Sequence, residues 1–209
     1  MNQKQSQTHE SKMKILDSAI DVIRTKGYTA TRIEDICTAA GLTKGGFFHH
    51  FKSKEDLALA ASDRFSEMAE DLFSSGPYRK KSDPVDRLLG YVDFRKGALK
   101  GDLPDFTCLF GTMIQETFET HPEVSKVCGK HIEEHAAVIA KDIEEAKTAY
   151  SSQANTEGLE LFTQAVVQGA FILAKAQRNP AVAAQCFDHL RQYIELIFQV
   201  DRSKKEDIK

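Results

Sequence analysis

Cysteine is scarce in this sequence, and its four cysteines, Cys37, Cys108, Cys128 and Cys186, lie far apart among the 209 residues. No two of them have the close spacing of a metal-binding pair. In a reducing compartment, thiols of this kind stay free rather than forming disulfides. We therefore expect neither a disulfide framework nor a bound metal, and no pattern in the chain calls for a cofactor.

Long apolar runs and the alternating pattern of β-strands are also missing. No stretch approaches the roughly 20 apolar residues that a membrane helix needs. The first dozen residues, MNQKQSQTHESK, are polar and unlike a signal peptide, and we expect them to be disordered. Because no region alternates with period two, the chain is predicted to be all-α, cytoplasmic and without membrane contact.

Enzyme motifs are nearly absent, since the chain has no glycine-rich phosphate loop, nucleophile elbow or dinucleotide fingerprint. One H-x-x-E-H pattern runs from His131 to His135 and places two histidines four residues apart on one helical face. A zinc enzyme would also need a third ligand and an open cleft. We interpret the pattern as a solvent-facing stripe of a charged helix, and the chain is predicted not to be an enzyme.

The charge is divided unevenly along the chain. Residues 1–55 contain nine basic and six acidic residues, a net charge of +3, and the whole chain has a net charge of −3, so the remainder carries −6. A basic segment on an acidic body favours DNA binding at one end only.

The segment TRIEDICTAAGLTKGGFFHHFKSK, residues 31–54, has the pattern of two short helices joined by a glycine turn. Thr31 and Glu34 have capping-box spacing, which predicts a helix that starts near Arg32. Gly41 supplies the backbone freedom for a tight stop. This is the layout of a helix-turn-helix DNA reader.

The second helix of this motif has two distinct faces. Thr43 is its expected cap, and Phe47 and Phe51 lie four residues apart on the buried side. The opposite side carries Lys44, Gly45, Phe48 and His49. Because each helical glycine costs about 1 kcal/mol relative to alanine, the Gly45-Gly46 pair needs a reason, and close approach to a DNA duplex is one. Ser53, three residues before Asp56, is predicted to cap the next helix.

These residues carry a resemblance to a known family. The segment from about His9 to Met68, with KILDSAIDVIRTKGYTATRIEDICTAAGLTKGGFFHHFKSKEDL at its centre, resembles the N-terminal domain of the TetR family of bacterial transcriptional regulators. The resemblance implies a DNA-binding domain at residues 9–69, with its recognition motif at 32–51, and an effector-binding and dimerisation domain at 70–200. It also implies double-stranded operator DNA as a partner.

The resemblance further implies DNA contacts by a set of residues in and around the motif. This set comprises Arg32, Thr43, Lys44, Gly45, Phe48, His49, His50 and Lys54, with Gly46 allowing close approach. Phe48 departs from the family pattern, which usually has tyrosine here. A phenylalanine cannot donate a hydrogen bond to phosphate, so we expect Phe48 to contact a thymine methyl group or a sugar.

The remaining chain has helical periodicity only. Further helices are predicted for a stripe that starts at Met13 and closes at Gly27, and for Lys54–Ser74, Pro84–Leu99, Phe106–Thr120, Pro122–Tyr150, Thr156–Arg178 and Ala181–Gln199. A short basic run, Arg79-Lys80-Lys81, is interpreted as part of a solvated loop. The periodicity of the last two helices leaves open whether their apolar faces form core or a partner surface. The resemblance implies that they form a four-helix homodimer interface.

The domain at residues 70–200 is expected to bind the effector that controls DNA binding. An apolar site between helices is the expected place for a small-molecule effector, and Tyr91, Phe94 and Phe110 are candidate lining residues. Cys108, in DFTCLFGTMIQE, resembles a position in a TetR subgroup in which some members sense electrophiles or oxidants. A cysteine near a helix N-terminus can be activated by the helix dipole, and Lys175 is a candidate cation for it. The plainer interpretation of Cys108 is a small buried apolar residue.

Three functions therefore remain open. The first is a homodimeric repressor released from a palindromic operator by a small molecule or a thiol-reactive effector. The second is a DNA-bound interaction protein whose body docks another protein. The third is a metal-dependent hydrolase built on His131 and His135.

Overall fold

The computed structural model describes the backbone of residues 3–200 and the side chains of residues 7–200. This range contains α-helices and one short 3-10 turn, Pro77–Lys80, and no strand, which confirms the all-α prediction. The helices are α1 Gln3–Lys26, α2 Ile33–Ala40, α3 Lys44–His50, α4 Lys54–Ser74, α5 Pro84–Gly97, α6 Leu103–Phe106, α7 Leu109–Thr117, α8 Pro122–Ala149, α9 Leu159–Gln177 and α10 Pro180–Ile197.

The chain divides into two compact units. The first contains residues up to Asp71 together with Gly101–Glu133, and the second contains Leu72–Lys100 together with residues from Glu134 onward. Gly101–Glu133, assigned to the body at the sequence level, thus packs with the N-terminal helices. The domain limits 9–69 and 70–200 stay a prediction.

The first unit has one continuous apolar core. Ile15, Ile36, Phe47 and Leu57 bring together α1 to α4, and Met113 adds α7 to the same cluster. All five side chains are completely buried. The amphipathic periodicity of each short helix is therefore satisfied by its neighbours, which hold α2 and α3 in place.

Two expectations for the N-terminal helices are wrong. Helix α1 begins at Gln3, so most of the polar start is helical, while residues 1–2 of it lie outside the described range. Thr31 does not form the expected capping box with Glu34, since its hydroxyl donates to the carbonyl oxygen of Gly27 at 2.6 Å. Asp35 takes over instead, accepting a hydrogen bond from the backbone N–H of Arg32 at 3.0 Å.

The helix predicted for Phe106–Thr120 is present as α7, but its predicted start is wrong, because the chain breaks between α6 and α7. Thr107 and Cys108 are extended, with ψ angles of 157° and 126°. The carbonyl oxygen of Thr107 accepts a hydrogen bond from Nε of the buried Arg24 at 2.8 Å. This carbonyl is used by α1 and not by a following turn of helix, so α7 starts only at Leu109.

In the second unit, α10 packs against both α5 and α9. A buried carboxylate on α8 joins this helix to two arginines of the same unit. Asp142 accepts hydrogen bonds from Arg79 Nη1 and Arg87 Nε, each at 2.8 Å. Both arginines are mostly buried, so the interpretation of Arg79 as part of a solvated loop is wrong.

Within residues 3–200, α9 is the one helix long and apolar enough to cross a membrane by length and composition, which the sequence analysis did not anticipate. Core helices of other proteins pass the same test. Here the apolar residues lie on two sides. The inner side, with Leu159, Val167 and Phe171, is buried, whereas Leu161 and Ile172 remain about half exposed.

Candidate DNA-binding surface and effector site

Helix α3 packs against the core of the first unit with one side, and its opposite side is exposed. The Thr43 hydroxyl accepts a hydrogen bond from the backbone N–H of Gly46 at 3.1 Å, which confirms the predicted cap. Phe47 is fully buried and Phe51 is 3% exposed, with their ring centroids 5.8 Å apart. Gly41 ends α2 in the left-handed conformation, with a φ of 65°. The two-helix layout expected from the sequence is therefore present.

The outer side of α3 carries Lys44, Gly45, Phe48 and His49, all of them exposed. Phe48 exposes 50% of its surface, which is unusual for a phenylalanine. A Cβ atom placed on Gly45 would meet only the Thr43 hydroxyl oxygen, at 3.8 Å, which is an ordinary contact. Nothing inside the chain therefore requires glycine at position 45, so the close-approach explanation is left standing.

Two other residues of the predicted DNA-contact set have partners within the chain. Lys44 forms an ion pair with Glu34 at 2.6 Å, and both side chains are more than half exposed. His50 Nε2 lies 2.7 Å from the Ser11 hydroxyl oxygen. Arg32 is exposed at the start of α2. DNA contacts by these residues stay predictions.

Lys54 is placed differently from a surface phosphate ligand. Its ammonium group donates to the carbonyl oxygens of Tyr28 and Thr31, each at 3.1 Å, and lies 4.3 Å from the centroid of the Tyr28 ring. Burial lowers the pKa of Lys54. These contacts tie the start of α4 to the turn that follows α1. An ammonium group has three N–H donors, so two carbonyls do not exhaust it.

Cys108 and Phe110, two candidate effector-site residues, lie in the first unit. Cys108 is half-buried at the N-terminus of α7. The Phe110 ring packs edge-on against Phe65 at 5.1 Å and stacks on His131 at 5.2 Å. Burial lowers the pKa of Arg24, and electrostatic interactions with Asp21 and Cys108 act in the opposite direction. Arg24 is therefore a cation near Cys108. Local sequence patterns do not connect Arg24 with Cys108, because Arg24 precedes it by more than 80 residues.

The interpretation of His131 and His135 as a solvent-facing stripe is wrong. The side chain of His131 is only 11% exposed, and its Nε2 lies 3.1 Å from a carboxylate oxygen of Asp63 in the first unit. His135 belongs to the second unit, where its Nε2 lies 3.0 Å from both the Tyr91 hydroxyl oxygen and Arg95 Nη2. Among the described residues, no group of three or more potential ligands could hold a metal ion.

Tyr91, Arg95 and His135 form the polar centre of an aromatic cluster, which we call the Arg95 cluster. Arg95 Nε donates to the Tyr91 hydroxyl oxygen. The guanidinium carbon lies 4.5 Å from the centroid of the Phe73 ring and 5.1 Å from that of Tyr91. Phe94 packs on Phe73, with the centroids 5.8 Å apart. The candidate residues Tyr91 and Phe94 are thus brought together in the second unit.

The charge state of His135 follows from these contacts. Burial lowers the pKa of His135 to about 3, and the guanidinium groups of Arg95 and Arg79 act in the same direction. His135 is therefore neutral, with Nε2 as the acceptor that faces the Arg95 N–H groups. Lys175, the predicted cation for Cys108, is half-buried on α9 in the second unit, and its role there stays a prediction.

Comparison with known proteins agrees with this geometry. Residues 15–61 match the family described as "Bacterial regulatory proteins, tetR family". The chain is 25% identical over 196 residues to the HTH-type transcriptional repressor DhaR of Mycobacterium sp. (strain GP1), covering 93% of each protein. It is 39% identical to the uncharacterized regulator YerO of Bacillus subtilis (strain 168) over 61 residues, which are 29% of this chain and 21% of YerO.

A solved structure extends the similarity to nearly the whole chain. The crystal structure of a TetR transcriptional regulator from Chloroflexus aurantiacus J-10-FL superimposes with a TM-score of 0.79 at 26% identity, covering 90% of this chain and 96% of that one. The fold and the surface of α3 define a helix-turn-helix DNA-binding protein. Residues 15–61 are a TetR-type helix-turn-helix region, and the chain is similar over nearly its whole length to TetR-family transcriptional regulators. The protein is a DNA-binding regulator and not an enzyme.

The neutral state of His135 predicts a pH dependence of stability. In the unfolded chain a histidine binds its proton near pH 6.5, whereas folded His135 does so only near pH 3. The unfolded state therefore binds more protons as the pH falls through this window. Stability should drop by up to about 2 kcal/mol between about pH 7.5 and 5 through this group alone.

Chemical denaturation at several pH values tests this expectation. His135→Gln should reduce the pH dependence between pH 7.5 and 5, because glutamine has no proton to gain. His9→Gln, which changes an exposed histidine on α1, should keep the wild-type dependence. Equal slopes for wild type and His135→Gln would show that His135 is not held neutral by the fold.

Proposed function

We propose that the protein is a homodimeric repressor that binds a palindromic operator through α3 and is released by a small-molecule or thiol-reactive effector. The observation that carries the DNA-binding surface is the outer side of α3, where no contact inside the chain requires a glycine at position 45 and half of the Phe48 surface is exposed. In a TetR-family regulator this is the side that would enter the major groove. The repressor name of the relative DhaR supports the direction of control. Such a protein would act in the cytoplasm, where its operator lies.

The exposed sides of α9 and α10 support the homodimer. Large apolar side chains that are at least 44% exposed occur on both helices, namely Leu161, Phe162, Ile172, Leu173, Tyr193 and Leu196. Apolar patches of this kind are typical of protein interfaces. A twofold dimer would place two copies of α3 about 34 to 36 Å apart, the spacing of successive major grooves on one face of B-DNA. Binding should accordingly show two chains per operator duplex, or a multiple of two.

If Gly45 allows close approach of the DNA duplex, replacing it should have opposite effects on the stability of the fold and on operator binding. Gly45→Ala should raise the free energy of unfolding by about 0.5 to 1 kcal/mol, because alanine is the better helix former. The added methyl group should also weaken operator binding at least about tenfold, since it projects where the duplex comes close. The measurements are thermal unfolding and fluorescence anisotropy on an operator duplex selected from random DNA by the wild-type protein.

Gly129→Ala provides the matched control. Gly129 lies inside α8, and a Cβ atom there would meet nothing within 4 Å. This change should stabilise the fold without altering operator affinity. If Gly45→Ala binds the operator as tightly as wild type does, close approach of the duplex to Gly45 is ruled out.

Lys44 is expected to contact a phosphate group. Lys44→Ala should weaken operator binding and reduce the slope of log affinity against log salt concentration by about 0.9, the contribution of one neutralised phosphate. Lys96→Ala removes the same charge from the exposed end of α5 and should leave both quantities unchanged. An unaltered salt slope in Lys44→Ala would argue against the phosphate contact.

Cys108 is the candidate sensor for thiol-reactive effectors. It is half-buried beside Arg24, whereas Cys37 and Cys128 are buried. Burial raises the pKa of the Cys128 thiol to about 11, and burial also raises that of Cys37, so both should react slowly. The predicted partner Lys175 belongs to α9, and Arg24 is a second candidate cation for Cys108.

Release by N-ethylmaleimide tests this part of the proposal. We expect the reagent to dissociate the wild-type complex with the operator, and Cys108→Ser to bind DNA normally but resist release. Cys186→Ser, which removes the other half-buried cysteine, should behave as wild type does. Release that persists in Cys108→Ser would remove Cys108 as the sensor and leave a reversible small-molecule effector.

A further inference from the structure

The Arg95 cluster contains more hydrogen-bond donors than acceptors. Nε2 of the neutral His135 has a single lone pair, yet both the Tyr91 hydroxyl group and Arg95 Nη2 lie 3.0 Å from it. The Tyr91 oxygen already accepts from Arg95 Nε, so the hydroxyl proton is best directed at His135. Arg95 Nη2 must then share an acceptor that is already in use.

Arg95 also differs from the other interior-facing arginines of its unit. Arg79 and Arg87 share the carboxylate of Asp142, and Arg191 pairs with Asp93 and Glu195. Within the described side chains, Arg95 has hydrogen bonds only to the neutral Tyr91 and His135 and pairs with no carboxylate. A half-buried guanidinium group whose hydrogen-bond partners are all neutral is costly unless an anion compensates it.

The surroundings of Arg95 define what such an anion would look like. A guanidinium group presents a planar fork that matches the two oxygens of a carboxylate. The rings of Phe73 and Tyr91 lie against Arg95, and Phe94 and Tyr78 lie next to them, 5.5 Å apart between centroids. These neighbours are aromatic rings, and a second guanidinium group, that of Arg79, lies 5.2 Å from the centroid of the Tyr78 ring. A small acid with an apolar or aromatic body fits both parts.

We propose that Arg95, with Tyr91 and His135, recognises the carboxylate of a small acidic effector whose apolar body packs against Phe73 and Phe94. This proposal rests on the effector-released regulator proposed above and names the chemical class of the effector. When the carboxylate binds, it takes over Arg95 Nη2, and the Tyr91 hydroxyl group keeps His135 as its acceptor. Every donor facing Nε2 of His135 then has its own partner.

Benzoate is a suitable probe, because it combines a carboxylate with an aromatic ring, and benzamide is its neutral counterpart. Isothermal titration of the DNA-free protein should show benzoate binding in the range up to about 10 mM and no comparable binding of benzamide. Arg95→Met keeps an unbranched side chain over the rings without the charge, and it should weaken benzoate binding about 10- to 100-fold, the effect of losing a charge-assisted hydrogen-bond pair. Tyr91→Phe should weaken binding less.

Lys96→Met is the control, because it removes a positive charge from the neighbouring position on α5 without touching the cluster. It should change benzoate affinity less than about twofold. Circular dichroism and operator binding in the absence of benzoate verify that each variant is folded. If Arg95→Met does not fold, Arg95→Lys replaces it as the test variant. Its affinity for benzoate should also be lower than that of the wild type, because lysine lacks the planar guanidinium fork.

Each outcome bears on the proposal separately from the DNA-binding function. No benzoate binding up to 10 mM, or equal binding by wild type and Arg95→Met, would overturn it even if the operator is bound normally. Benzoate binding that depends on Arg95 and lowers operator affinity of the wild type would support it. Binding that leaves operator affinity unchanged would overturn the assignment as effector. A protein that binds benzoate through Arg95 but no DNA would refute the proposed regulator alone.

Discussion

The burial of Phe47 and Phe51 is the constraint on which the DNA-binding surface depends. Both rings point into the core of the first unit, so the rotation of α3 about its own axis is fixed. Lys44, Gly45 and Phe48 must then face outward, whatever they contact there. In a helix of seven residues, propensity contributes little, and packing against neighbours supplies the stability. The same packing contacts therefore form the core of the unit and orient its binding surface. They also stabilise α3 enough for the helix to form despite its two adjacent glycines.

Sequence periodicity predicted these helices well because their apolar faces have clear partners. The limits of α4 were predicted from Ser53 and from the glycine and proline that follow Ser74, signals that lie beside the helix in sequence. The break at Thr107 could not be predicted, because it depends on a hydrogen bond from Arg24, a residue distant in sequence. The same reason explains the error at Thr31, whose hydroxyl group donates to Gly27 rather than capping α2. Residues next to a helix in sequence thus predict most of its limits, whereas the errors at Thr31 and Thr107 arise from hydrogen bonds that sequence spacing does not show.

The two histidines of α8 show the limit for functional residues. A spacing of four correctly places His131 and His135 on one side of a helix, but it does not identify what that side meets. His131 stacks on Phe110 beside Asp63, whereas His135 meets Tyr91 and Arg95. Tyr91 and Phe94 were predicted as candidate effector residues because they are aromatic, but Arg95 and His135 were not. Their significance comes from a shortage of acceptors, which is visible only when the helices are assembled.

Two features of this protein depart from what stability alone would select. One is the glycine pair of α3, and the other is the guanidinium group of Arg95, which pairs with no carboxylate among the described side chains. Departures of this kind concentrate at functional sites, where a binding partner supplies what the fold lacks. At Arg95 the missing group would also act on structure, because the hydrogen bonds from Tyr91 and Arg95 to His135 connect α5 to α8. A ligand shifts a conformational equilibrium only through a difference in affinity for the two states. An anion that replaces His135 as the acceptor for Arg95 changes that connection directly, so its affinity must depend on how α5 and α8 are arranged.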